Sequence, residues 1–237
     1  NGLPEKWKGW RQLIDDEVNG KARGAVAWSN QYGNPNASFG THLKLYVGTG
    51  TDTLADIPPV RASSTINNNP FAMVDTSTPV TVTDTAHGAD DGAYVTFSGA
   101  AAAHGITIVG EYVLPKIDAD SYTITHSSAA TSTGSGGGAS VVADYQINPG
   151  SVDTVAGLGW GAGRWGTGTW GTPRTEGITI ELRAWSLAEY GNDLLASPSA
   201  GSLYLWQEAT DDVAELVTNA PTSMRAMFVT GERFPFA

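Results

Sequence analysis

The sequence predicts an all-β chain: a partial β-propeller of blade-like antiparallel sheets, with a small β-barrel or sandwich domain inserted between them. Helix signals are scarce. Strand-length segments cut by Gly, Asn, Asp and Pro fill most of the 237 residues. Two stretches also repeat the same short words in the same order, as repeat architectures do.

Taken in order, residues 4–18 (PEKWKGWRQLIDDEV) predict one short helix, opened by Pro4 with Trp10, Leu13, Ile14 and Val18 at roughly helical spacing. The first copy of the repeat runs from Ala27 to Val60 and the second from Ala184 to Val217. Both read Ala-Trp-Ser, Tyr-Gly-Asn, Ala-Ser, Leu-Tyr and Thr-Asp in that order. Each has the shape strand, turn, strand, turn, strand, which is that of a propeller blade. A third start is visible at Met224–Gly231. Blades recur every ~40–50 residues, whereas Tyr46 and Tyr204 stand 158 residues apart. The excess is therefore an insertion.

Inside the insertion, Val80 and Val82 alternate with Thr81 and Thr83 at the period of a half-buried strand. Further strands are predicted at 41–48, 81–84, 93–99, 110–117, 121–125, 139–147 and 177–185, while 211–217 is too short to assign. His87-Gly88 and Asp91-Gly92 mark tight turns. TSTGSGGGAS, residues 131–140, predicts a flexible hairpin or linker. The resulting division is an N-terminal segment and first blade over 1–60, a β module over 61–150, a Gly/Trp-rich anchoring loop over 151–176, and a second blade with the start of a third over 177–237. A closed propeller needs at least about four blades, so a piece of a longer chain is expected. The first residue, Asn1, agrees with that.

Composition narrows the chemistry. Thirteen basic against 24 acidic residues give a net charge of −11, which disfavours tight phosphate binding. An acidic surface can still face DNA and let it slide. There is no cysteine, and so no disulfide or thiolate chemistry. His42, His87, His104 and His126 show no metal-ligand spacing and no partner for an activated serine, and read as turn and surface histidines. The carboxylate pairs Asp15-Asp16, Asp90-Asp91, Asp118/Asp120 and Asp211-Asp212 read as turn residues. No catalytic constellation, cofactor site or metal site is predicted.

The segment GWGAGRWGTGTWG places Trp160, Trp165 and Trp170 five residues apart, with Arg164 among them. That spacing fits neither helix nor strand. An anchored loop is expected, each indole burying ~150–250 Å² in a neighbouring sheet or subunit. Trp28 and Trp185, in the Ala-Trp-Ser word of each copy, are expected to anchor likewise. The alternative is a stacking platform for a ligand, with Arg164 adding a cation.

VTVTDTAHGADDGAYVTFSGA, GITIVGEYVL and DADSYTIT resemble a small β domain common in tailed-phage structural proteins. The Gly-Trp segment and AWSLAEYGNDLLA are similar to propeller-bearing tail proteins, including the nozzle proteins of short-tailed phages. That resemblance implies a virion location, a homo-oligomeric ring (a hexamer in the nozzle family), adaptor and fibre proteins as neighbours, and phage DNA passing through the lumen. It carries no catalytic residue. The alternative function is a tail protein that binds a receptor or a host surface glycan.

Overall fold

A computed structural model describes residues 16–50, 53–66, 68–152, 182–210 and 213–236. Among these residues there is no helix. The chain is all-β, in several antiparallel sheets. Residues 4–15 of the expected helix lie outside the described residues, and 16–18 are not helical.

The first sheet is a four-stranded meander of β1 (Ala22–Ser29), β2 (Pro35–Thr41), β3 (Leu45–Thr49) and β4 (Ala55–Asp56) in chain order. The loop Asn30–Asn34 joins β1 to β2. The Asn30 side chain accepts the Tyr32 and Asn34 amides there, at 3.0 and 2.9 Å, which satisfies the turn locally.

The insertion forms two further four-stranded sheets. Its strands are β5 (Val60–Ile66), β6 (Phe71–Met73), β7 (Pro79–Thr83), β8 (Ala93–Ser98), β9 (Gly110–Leu114), β10 (Ser121–Thr125), β11 (Gly134–Gly136) and β12 (Val141–Gln146). One sheet has the order β5-β12-β8-β9, the other β10-β7-β6-β11. Both contribute to one core, because the pleat sends alternate residues the same way. Val95, Phe97, Ala143 and Tyr145 come from the first sheet, and Phe71, Val80, Val82, Tyr122 and Ile124 from the second. Phe71 and Phe97 meet edge to face at 5.2 Å, a favoured aromatic geometry.

The stretch 131–140, expected as a flexible hairpin or linker within the module, carries a strand of its core. Gly134–Gly136 is β11, paired to β6. Its glycines serve close packing: a β-carbon at Gly136 would lie 2.2 Å from that of Ala103, and one at Gly137 would lie 2.6 Å from the Phe71 ring. His87 is also not a surface residue. It is buried against the rings of Tyr122 and Tyr145. Beside it, Tyr145 Oη donates to Asp84 Oδ2 at 2.5 Å, bonds Tyr122 Oη at 2.9 Å, and Ser64 Oγ donates to Asp84 Oδ1. Burial pushes both phenols well above the ordinary tyrosine range, so they act as fixed hydrogen-bonding groups.

The last part of the chain holds a second meander, β13 (Trp185–Tyr190), β14 (Asp193–Pro198), β15 (Tyr204–Trp206) and β16 (Glu215–Leu216), and a hairpin of β17 (Phe228–Val229) and β18 (Pro235–Phe236). β14 is buried on both faces, which explains its unbroken Leu-Leu-Ala run. Leu194 and Ala196 pack toward the first meander, and Leu195 packs with Met224 and Met227. Of the predicted strand 177–185, residues 177–181 lie outside the described residues and 182–184 are irregular.

Candidate functional site

The two meanders are joined by tryptophans. Trp185 begins β13 and is buried over Gly24 and Gly40 of the first sheet. Its indole N–H donates to Thr41 O at 2.7 Å. A β-carbon at Gly40 would stand 2.3 Å from the indole, so the hollow exists only because position 40 has no side chain. Trp28 donates from Nε1 to Asn192 O at 3.3 Å. In sequence the two Ala-Trp-Ser words align, but in space they do not. Trp28 pairs with Asn36 near the turn of its hairpin, while Trp185 pairs with Pro198 at the open end. The two turns also differ, with Asn30–Asn34 in one and Gly191-Asn192 in the other. The tryptophans thus bind opposite ends of one seam. Trp160, Arg164, Trp165 and Trp170 lie outside the described residues.

A second junction holds the insertion to the first meander. Lys44 is buried, and its ammonium reaches Asp56 of β4 and, at 2.6 Å, Glu111 Oε1 of β9. It also lies 4.3 Å from the centre of the Tyr94 ring. Glu111 Oε2 accepts Gln146 Nε2 at 2.6 Å. Burial pulls the Lys44 pKa down, but the bonds to both carboxylates outweigh it and leave it raised. Asp56 is raised as well, because burial outweighs its bond to Lys44. Its second oxygen, Oδ1, is buried with no hydrogen-bond partner.

Glu111 belongs to a third feature. β9 and β10 are edge strands of different sheets. They are tied at one end, where Thr123 N donates to Pro115 O and Ile117 N to Ser121 O. At the other end they diverge around an open groove of about 500 Å³. Tyr112 and His126, 6.4 Å apart and inclined by 26°, face it together with Glu111, Val113, Thr125 and Ser127. This groove and the Lys44 junction were not among the sites expected from sequence. Their members come from distant strands, and no local spacing marks them.

Other expected residues have local tasks. Asp118 Oδ1 accepts the Asp120 amide and the Ser121 hydroxyl, Asp120 accepts the Ala86 amide, and Asp91 accepts the Lys116 amide. His42 departs from the surface reading. It is buried at the seam, and its Nδ1 accepts the Lys21 amide at 2.9 Å. Burial and then the charges of Arg23, Lys21 and Arg183 hold its pKa below the ordinary value. Among the described residues no three His, Cys, Asp or Glu side chains gather as metal ligands.

No family model and no curated protein matches the chain. Among solved structures, one similarity is to the phage phi92 endosialidase. It has a TM-score of 0.31 at 12% identity and covers 90% of this chain. The chain spans 31% of that protein's length.

Proposed function

We propose that this protein is a structural component of a phage tail, that it acts by assembly rather than catalysis, and that its two meanders are neighbouring blades of a propeller in a nozzle-like ring. The observation that carries this reading is the seam between the meanders. Two four-stranded sheets of like topology share one buried core of Trp28, Leu45, Val47, Trp185, Leu194 and Trp206. Each first strand lies near the first strand of the next unit, β1 by β13 and β13 by β17, a progression suited to radial repetition. The tail-like wording of residues 80–125, 159–174 and 184–196 supports the same reading. On it, the acidic chain forms part of a wall past which DNA moves without sticking, with adaptor and fibre proteins as neighbours.

The test is localisation in the intact particle with a gold-labelled antibody against the 68–146 module. Label on the tail axis supports the reading. Label at fibre tips, or absence from the virion, refutes it. A strongly positive lumen in the assembled ring would refute the DNA-passage part alone.

A further inference from the structure

The groove between β9 and β10 has a composition that the ring reading does not use. We propose that it binds a neutral saccharide. This inference is independent of the tail assignment.

Three features argue for that ligand. The groove combines an apolar wall, Val113 and the rings of Tyr112 and His126, with groups that both donate and accept hydrogen bonds. A sugar has the same combination of C–H faces and hydroxyls, and about 500 Å³ falls within the size range of small-ligand clefts. The polar groups are also held in place before any ligand arrives. Glu111 is fixed by Lys44 on one oxygen and Gln146 on the other, and each oxygen keeps a lone pair for a hydroxyl donor. His126 Nδ1 lies 3.0 Å from both the amide and the carbonyl of Ser128, which holds the ring in place and leaves Nε2 to meet a hydroxyl as donor or acceptor according to the tautomer. Thr125 and Ser127 supply hydroxyls that do either.

Charge selects a neutral partner. Behind the groove, Asp56 and Glu111 outnumber Lys44, which repels an anion, and the ammonium already stands where a cation would sit. An added β-strand fits less well. Pro115 has no amide to offer at one end of the edge, and its carbonyl already accepts the Thr123 amide.

The experiment is saturation-transfer NMR on the full chain, with methyl glycosides of neutral hexoses and N-acetylhexosamines at millimolar concentration. Transfer to the ring protons of at least one sugar is expected. His126→Ala and, as a shape-preserving variant, Thr125→Val should each weaken it about three- to tenfold, the loss of one hydrogen bond. Tyr32→Ala, at a residue 77% exposed, should leave it unchanged. Transfer to no sugar overturns the proposal. So does binding undiminished in both groove variants, which would put the ligand elsewhere. A short peptide of alternating Val and Thr, run in parallel, overturns it if it protects the Gly110–Leu114 amides while no sugar binds.

Discussion

Gly40 and Trp185 are mutually dependent: the indole fills the space that any side chain at position 40 would need. The contact joins the second strand of one meander to the first strand of the next. It makes the two sheets one packed unit rather than two meanders on a string.

Gly40→Ala should therefore destabilise the protein by about 1–3 kcal/mol, the cost of overpacking a tight contact, with a red shift in tryptophan emission as Trp185 is displaced toward water. Gly231→Ala, where a β-carbon meets nothing within 4 Å, should stay within about 0.5 kcal/mol of the parent. Urea titration of both variants checks this.

Lys44→Met removes the cation from two carboxylates whose side chains are 32% and 34% exposed. Breaking a fully buried pair costs ~3–5 kcal/mol. Partial exposure reduces this to about 2 kcal/mol. Adding Glu111→Gln to Lys44→Met should restore part of the loss, because one uncompensated charge goes with it. A double-mutant cycle by denaturant titration measures both.

The depressed pKa of His42 sets a pH dependence. The folded protein resists protonating this ring, so the unfolded chain binds more protons below the ordinary value of 6.5. The contribution is present above that pH and is lost as pH falls through the lowered folded value. Asp56 opposes it. Its raised pKa means that the folded state takes up a proton first, so stability is gained as pH falls toward the ordinary value of 3.8. The melting temperature should fall below pH 6.5 in the parent, and that fall should shrink in His42→Gln.

The glycines of β11 give a further check. Gly136→Ala forces the new methyl onto Ala103 and should cost about 1–3 kcal/mol. A flexible linker would tolerate the change without loss. Hydrogen exchange should likewise show the paired β6–β11 amides to be protected.

Local pattern was enough for much of the fold. Ser121–Thr125 stands where its alternation put it, and Val80 and Val82 face the core as their period required. The strands missed from pattern were those that tertiary context determines. Phe71–Met73 is too short to show a period, and Gly134–Gly136 has glycine because Ala103 and the His104 ring press against it, not because the chain bends there. The repeated words did indicate two meanders, but word identity misplaced Trp28 against Trp185, because the hairpins differ in turn length. The Lys44 junction and the β9–β10 groove were illegible for a simpler reason. Lys44 and Glu111 are 67 residues apart and meet only when the insertion rests on the first meander.

The central claim is assembly into a ring, and the native mass of the full-length protein tests it most directly. The account predicts a closed six-fold or twelve-fold species, purified or released from its particle. A trimer would contradict it and point to a fibre or receptor-binding protein instead.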